Sequence, residues 1–260
     1  MDAKPLMDLG HYDHYGYALV ALLGTFLGAW LLLWTTLRSP WAAAIRTFRG
    51  VSPPFLGVVG VLFALTLAFL ANDTWNAHDR ALNTVYQEAD GLRSIKALAE
   101  HLPAAVRSRI EAQVADYARV TVEEEWPLLA RRQSSQAASD RLDHLLSLLA
   151  GREVAEAAPA GVHSLLLAQV IQVRAARGLR IALSQTHVNP LKWLGMAFLG
   201  FLTMISVAMV HVEQARAEIL AVAIFAAAAA PTAAIVLVQG NPFQSPTVVT
   251  SAPVAALIDR

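Results

Sequence analysis

The chain has no cysteine among its 260 residues, which excludes disulfides, thiolate metal sites and a cysteine nucleophile. Neither charge is in excess, because 20 Lys and Arg residues balance 20 Asp and Glu residues. Without a net positive charge to attract it, nucleic acid is not an expected partner. Charged residues make up only 15% of the chain, against about 25% in an average soluble protein. Together with 56% hydrophobic residues, this scarcity predicts a membrane protein whose partner is the lipid bilayer.

Catalytic and nucleotide-binding fingerprints are missing as well: the sequence has no GxSxG, HExxH, Walker or dinucleotide-binding pattern. We therefore expect no enzyme and no cofactor. His11 and His14 lie three residues apart in the N-terminal tail, but a metal site needs more ligands than this neighbourhood offers. Three consecutive glutamates at 123–125 fit a solvated helix end at least as well as a cation site. They are also the only basis for a membrane hydrolase.

The charged residues are concentrated in the middle of the chain, where residues 73–192 hold 14 of each sign. Four stretches outside this region have no charge, and each has close to the ~20 residues that cross a bilayer as a helix. The stretches are residues 14–37, 50–72, 193–212 and 219–238. We predict an all-α membrane protein with four transmembrane helices and a helical soluble domain inserted between the second and third.

The predicted boundaries follow from the uncharged stretches. An N-terminal tail (1–16) precedes transmembrane helices 1 and 2 (17–71), the soluble helical domain (72–190), transmembrane helices 3 and 4 (191–238) and a C-terminal tail (239–260). Two glycine pairs in the first two spans are predicted to permit close helix packing. They are Gly24 with Gly28, and Gly57 with Gly60.

The soluble domain shows helical periodicity throughout. After the second span, apolar residues recur every three or four positions, at Leu82, Val85, Ala89 and Leu92. A second helix is predicted to end at Pro127 and a third at Gly151, followed by a loop at residues 155–161. The fourth helix carries three arginines on one face, Arg174, Arg177 and Arg180. They could attract anions, but pairing with the carboxylates of the domain is favoured.

The second span differs from the others because it continues into the soluble helix without a break. Along it Val61, Leu65 and Phe69 recur every four residues and form a narrow apolar stripe. In one subunit such a stripe usually serves packing, whereas around a symmetric ring it forms a hydrophobic constriction that gates by dewetting. At the membrane boundary the helix carries the residues of a candidate pore mouth, Asn72, Asp73, Trp75, Asp79 and Arg80.

The segment LAFLANDTWNAHDR resembles the second span of bestrophin anion channels. More closely, the chain resembles the bacterial bestrophin-like domain family over roughly residues 55–258. The resemblance also rests on EADGLRSIKALAEHLPAAVR and on PLKWLG before the third span. Two motifs are the most specific to this family. The first is Glu125, Trp126 and Pro127, and the second is Pro242 and Phe243.

The resemblance implies a homo-oligomeric ion channel, with a pentamer favoured and anions favoured as the permeant ion. It also implies that the second span lines the pore and that Val61, Leu65 and Phe69 form its neck. Leu70 and Ala71 follow the neck where bestrophins have a basic or polar residue, and no acidic run lies near the C-terminus, so calcium gating is not carried over. The alternative is a non-conducting membrane scaffold or sensor whose helical domain binds a protein partner.

We expect a multi-pass protein of the bacterial inner membrane. The tails and the middle region share one side, because two crossings return the chain to the same face. Near the spans this side carries six basic residues against four on the other, which favours a cytoplasmic middle region. The loop at 38–49, which has no acidic residue, favours the opposite orientation.

Overall fold

The computed structural model describes residues 13–48, 52–185, 190–245 and 248–258. Every regular element in these ranges is a helix, which confirms the predicted all-α fold. His11 and the side chain of His14 lie outside the described part. The helices are α1 (Asp13–Leu37), α2 (Ala42–Arg46), α3 (Ser52–Ala99), α4 (Ala104–Val120), α5 (Trp126–Leu129), α6 (Gln136–Ala150), α7 (Arg152–Ala157), α8 (Ala160–Ser184), α9 (Pro190–Val210), α10 (Ala215–Val238) and α11 (Ala252–Ala255).

Four helices are long and apolar enough to cross a membrane: α1, the first part of α3, α9 and α10. The shortest of them, α9, has 21 residues, which is about 31 Å at 1.5 Å per residue and matches the ~30 Å hydrocarbon core. Their outward faces carry large apolar side chains such as Leu19, Phe198 and Ile224, each more than half exposed. Such surfaces are stable only in contact with lipid or another protein surface. The chain is a membrane protein, as its composition predicts.

The chain divides into two compact units. The first consists of Met1–Trp75 and His187–Gly240. Within it α1 packs along α10, and α9 packs against both. Their shared core combines small with larger side chains, including Ala29, Ala208 and Ala226 against Leu32 and Met204. Small residues let the helix backbones approach closely, which favours association where lipid removes the hydrophobic driving force.

The four span glycines do not all serve close packing. A Cβ atom on Gly28 would lie 3.6 Å from Met204, and one on Gly60 would lie 3.9 Å from Thr203, so these two do face neighbouring helices. A Cβ on Gly24 or Gly57 would meet no atom within 4 Å. The packing prediction is therefore wrong for Gly24 and Gly57, since spacing along one helix does not reveal how near its neighbours come.

Helix α3 is continuous over 48 residues, which confirms the prediction that the second span continues without a break into the helix that follows it. The polar residues at its membrane boundary do not interrupt it. Thr74 is an example, because its hydroxyl donates to the carbonyl oxygen of Leu70 at 3.0 Å and so stays within the helix. At 1.5 Å per residue the helix is about 72 Å long.

The second unit consists of Asn76–Thr186 and Asn241–Arg260. Its core is formed by one apolar face each of α3, α4, α6 and α8, to which residues of the C-terminal segment contribute. The predicted stripe after the second span is part of it, with Val85, Ala89 and Leu92 fully buried. Ser135 starts α6 as its N-cap, accepting a hydrogen bond from the backbone N–H of Ala138 at 3.3 Å.

Two predictions about helix ends in this unit are wrong. The second soluble helix does not end at Pro127, because a π-helical turn (Thr121–Glu125) leads into α5. Pro127 lies in the first turn of α5, where a missing backbone N–H costs little. The segment predicted as a loop at 155–161 is partly helical, since α7 extends to Ala157 and α8 begins at Ala160.

Candidate functional site

The candidate pore neck lies on one face of α3. Val61, Leu65 and Phe69 are four residues apart, which places their side chains one above the other on the helix. In a single chain they are 58%, 50% and 67% exposed, respectively. The three side chains therefore point away from the helices of their own chain. One copy does not bring them together around a space, so a constriction requires the same residues from other copies.

Polar contacts hold the stretch of α3 that follows the candidate neck. The Lys192 ammonium lies 2.7 Å from the Asp73 carboxylate, and the Trp75 indole donates to the side-chain oxygen of Gln239 at 3.1 Å. Both contacts lie within the first unit and link α3 to the start of α9 and to the end of α10. Lys192 and Asp73 are each more than half exposed, so the pair contributes at most about 1 kcal/mol to stability. The pair matters more because the Lys192 ammonium offsets the negative charge of the Asp73 carboxylate.

The remaining candidate mouth residues lie in the same stretch of α3. Asn72, Asp79 and Arg80 are exposed. The three charged residues of the predicted mouth, Asp73, Asp79 and Arg80, carry one net negative charge, which Lys192 beside Asp73 balances.

The second unit has a buried ion-pair cluster, formed by Glu88, Glu125, Arg177 and Arg180. Arg180 donates to both glutamates, through Nε to Glu88 at 2.8 Å and through Nη2 to Glu125 at 2.8 Å. Arg177 also bonds Glu125, with Nη2 at 2.5 Å from Oε1 and Nε at 3.1 Å from Oε2. Bidentate arginine–carboxylate bonds are strong and directional. The cluster therefore fixes α3, the π-helical turn and α8 relative to one another.

Two aromatic residues complete this cluster. The Tyr117 hydroxyl donates to Glu88 Oε1 at 2.6 Å, and the guanidinium of Arg180 lies 4.9 Å from the centre of the Trp126 ring. Burial, reinforced by the charge of Glu88, raises the pKa of Tyr117 well above its usual 10.0. Its hydroxyl therefore remains a donor at physiological pH. Every charge of the cluster has at least one opposite partner within hydrogen-bond distance.

The pKa of Glu125 is lowered, which makes the second unit sensitive to acid. Burial alone would raise this pKa, but the hydrogen bond from Arg177 and the charge of Arg180 outweigh it. The unfolded chain, whose Glu125 has a pKa near 4.5, then binds protons more readily than the native state. The stabilisation is fully present above pH ~4.5 and is lost as the pH falls further.

We accordingly expect the thermal unfolding midpoint of the second unit to fall when the pH is lowered from 7 to 4. Trp126 lies beside Arg180 and is a fluorescent reporter of this unit. Glu125→Gln is the control, because it removes the titrating group; it should be less stable at pH 7 and lose less on acidification. Equal pH dependence in the wild type and Glu125→Gln would contradict this role of Glu125.

The two family motifs, more than a hundred residues apart in sequence, meet in the second unit. The Trp126 indole donates to the Val249 carbonyl oxygen at 3.1 Å, and its ring stands edge-on to Phe243 at 5.8 Å. Asn241 and Gln244 donate from their side-chain amides to the carbonyl oxygens of Leu129 and Ala130. Pro127 lies in the first turn of α5, and the carbonyl of Pro242 accepts from the Val249 N–H at 2.9 Å. These bonds attach the C-terminal segment to the end of α5.

The expectation of a solvated acidic run is wrong for Glu125. Its side chain is fully buried and engaged by two arginines. The hydroxyl of Ser135 donates to neighbouring Glu124 at 3.4 Å. Within the described residues no group of three or more His, Asp and Glu side chains is placed to hold a metal ion. Both oxygens of Glu125 are already bonded to arginines.

The arginine face is as predicted: all three arginines pair with carboxylates. Arg174 contacts Asp143 at 3.4 Å on the surface, whereas Arg177 and Arg180 are buried. Glu88 is the partner that sequence reasoning missed. Its position between Val85 and Ala89 was a usable signal, because a carboxylate within the apolar stripe of an amphipathic helix must find a buried partner.

The sequence matches the bestrophin-like domain over residues 23–254. No curated protein is similar enough in sequence to match the chain. Among solved structures, it is similar to crystal structures of a bacterial bestrophin homologue from Klebsiella pneumoniae. One is 14% identical with a TM-score of 0.65, covering 94% of each chain. Another is 15% identical with a TM-score of 0.61, covering 93% of this chain and 96% of that one.

At this identity the likeness to solved structures establishes the fold, and the domain match establishes the family. The matched region runs from within α1 to α11 and so includes the candidate neck, the buried ion-pair cluster and both family motifs. The chain belongs to the bestrophin-like domain family.

Proposed function

We propose that copies of this chain assemble into an ion channel in which α3 lines a central pore. Val61, Leu65 and Phe69 form the neck, and Asn72, Asp73, Trp75, Asp79 and Arg80 form the mouth that follows it. The observation that carries the proposal is the exposed face of α3. Three large apolar side chains lie on one face of a membrane-spanning helix and are not covered by other helices of the same chain. Beyond the span the same helix continues into charged residues.

Assembly is a necessary part of this proposal. The four membrane helices of one chain do not enclose a pore, whereas identical interfaces repeated by rotation close a ring. A ring with α3 innermost brings one copy of each neck residue to the same level from every subunit. An apolar constriction of this kind closes by losing its water and opens when it is hydrated or widened. A pentamer is the ring size implied by the family resemblance.

Anions are the favoured permeant species. The resemblance is to anion channels, and Lys192 neutralises Asp73 at the end of the span. With Lys192 counted, the mouth has no net negative charge that would exclude anions from a low-dielectric passage. The proposal places the channel in the bacterial inner membrane with the soluble domain in the cytoplasm.

The proposal is tested by purifying the chain, measuring the mass of the detergent-solubilised particle and reconstituting it into liposomes for ion-flux measurements. The protomer is 28.0 kDa, so the protein mass of the particle should be an integral multiple of this, about five. Flux of chloride above the protein-free background is the expected result. A monomeric or dimeric particle without flux would instead support the scaffold or sensor alternative and overturn the channel.

Selectivity should respond to the Lys192–Asp73 pair. Lys192→Gln leaves the Asp73 carboxylate unpaired at the mouth of every subunit, which attracts cations and repels anions. We expect the cation-to-anion permeability ratio, measured from reversal potentials in a salt gradient, to rise about two- to tenfold. Lys192→Arg keeps the positive charge and should leave the ratio unchanged. If both variants match the wild type, Asp73 does not face the ion path.

A further inference from the structure

The membrane-spanning unit contains a continuous apolar groove between its helices. A cavity of about 260 Å³ lies among α1, α3, α9 and α10, and a second of about 440 Å³ adjoins it beside α1 and α9. The two cavities share Val20, Ala21, Met196 and Ala197 in their walls. We call this combined space the bundle groove; it runs from Tyr17 and Trp193 at one end to Gly28 and Met204 at the other.

The lining is chemically suited to hydrocarbon. Phe63, Phe201 and Phe225 line it along with methionine, alanine and glycine. The hydroxyl of Thr25 already donates to the carbonyl oxygen of Ala21 at 2.7 Å, so it offers no free donor to a polar ligand. Gly24 lies about halfway along the groove, and a Cβ there would meet no atom within 4 Å, so the groove is unfilled at this point. Apolar cavities do not hold water, and leaving one empty forfeits the dispersion contacts of its walls.

The dimensions of the groove correspond to one bilayer leaflet. Tyr17 and Gly28 are eleven residues apart on α1, and Trp193 and Met204 are eleven apart on α9. Eleven residues of helix rise about 16 Å, roughly half of the ~30 Å hydrocarbon core. Tyr and Trp rings are favoured where the polar headgroups begin. The groove therefore opens at the level of the headgroups and ends near the middle of the membrane.

We propose that the bundle groove binds one acyl chain of a bilayer phospholipid in each copy of the protein, with the headgroup beside Tyr17 and Trp193. The groove is apolar and about one leaflet long, which fits an unbranched acyl chain, the most abundant apolar molecule at this depth of a bilayer. The site lies within a single chain and does not depend on conduction.

A substitution that fills the groove provides a direct test. Gly24→Leu places a side chain in the open middle of the groove without a close contact at Cβ, and leucine has a higher helix propensity than glycine. Gly195→Leu on α9 is the matched control, because a Cβ there also meets no atom within 4 Å and Gly195 does not line the groove. Both variants must have the wild-type particle mass and helix content before they are compared.

The probe is a phosphatidylethanolamine with a photoreactive diazirine along one acyl chain, incorporated into the proteoliposomes. In the wild type we expect crosslinks to concentrate on residues 17–28 and 193–204, and native mass spectrometry to show one firmly retained phospholipid per chain. Gly24→Leu should lose that phospholipid and at least about three-quarters of the crosslinks to these two segments. Gly195→Leu should keep both.

Three results would overturn the proposal. One is wild-type labelling spread evenly over all exposed faces of α1, α3, α9 and α10. The second is a phospholipid count and labelling pattern that Gly24→Leu leaves unchanged. The third is crosslinking between copies through a single cysteine introduced by Gly24→Cys, which would identify a second copy as the occupant. The wild-type labelling keeps the test valid even if Gly24→Leu fails to fold.

Discussion

Replacing Arg180 with methionine is expected to unfold the second unit at physiological temperature or to leave it only marginally stable. The guanidinium is fully buried and is the group that joins Glu88 to Glu125. Arg180→Met leaves Glu88 buried with the Tyr117 hydroxyl as its remaining hydrogen-bond donor. Removing one partner of a buried ion pair costs about 3–5 kcal/mol of the free energy of unfolding, because the other charge stays uncompensated. Loss of the Trp126 contact adds to this cost.

The measurement is the temperature at which the detergent-solubilised particle is lost, combined with the fluorescence of Trp126. Arg174→Met is the matched control on the same helix, since Arg174 pairs with Asp143 at the surface and both side chains are more than half exposed. That change should cost no more than about 1 kcal/mol. Adding Glu88→Gln to Arg180→Met should recover part of the loss by removing the unpaired charge. Equal stability of the two methionine variants would contradict a structural role for the cluster.

The second large effect is expected at the neck. In the proposed ring every subunit contributes the Leu65 and Phe69 side chains, so Leu65→Ser and Phe69→Ser, tested singly, should each shorten and hydrate the apolar constriction. A barrier lowered by about 1.4–2.7 kcal/mol corresponds to a tenfold to hundredfold increase in flux. Liposome flux, normalised to the amount of reconstituted protein, measures the change.

Phe198→Ser on α9 is the control for the neck variants. Phe198 is also more than half exposed on a membrane-spanning helix, but it is not part of the α3 stripe. Its substitution should leave the flux within about twofold of the wild type, since a single surface change far from the ion path has little effect on the barrier. Increases of similar size in all three serine variants would point to general loosening of the membrane unit and not to a neck.

The membrane part of the fold was predictable because its signal is local. A helix that crosses hydrocarbon must satisfy its own backbone and exclude charge over about 20 residues, so each span can be recognised without knowledge of its neighbours. The continuity of α3 was predictable for the same reason, since no helix breaker separates Asn72 from Val85. The distance between neighbouring helices, in contrast, depends on the packing of the whole bundle and not on the sequence of one helix. For this reason the packing expectation for Gly24 and Gly57 was wrong.

The buried ion-pair cluster shows why the rest could not be predicted. Arg180 and Glu88 are 92 residues apart in sequence, and nothing in the spacing of either residue identifies the other. Glu125 stands in a run of three glutamates that reads as solvated, and the π-helical turn that directs it inward has no clear sequence signature. The family resemblance marked Glu125–Trp126 and Pro242–Phe243 as motif residues, and the structure supplies a physical link between the two motifs, because Trp126 and Phe243 pack against each other.

If α3 of every copy faces the ion path, a thiol on its apolar stripe is within reach of reagents in the pore, and the chain has no cysteine of its own that would react. Leu65→Cys introduces the only thiol of the chain at the middle of the stripe, and Phe198→Cys introduces it on α9. A small charged methanethiosulfonate reagent is added to proteoliposomes during the flux measurement. We expect the reagent to block most of the flux of Leu65→Cys and to leave the flux of the wild type and Phe198→Cys unchanged. Complete modification of Leu65→Cys without any change in flux would contradict this expectation.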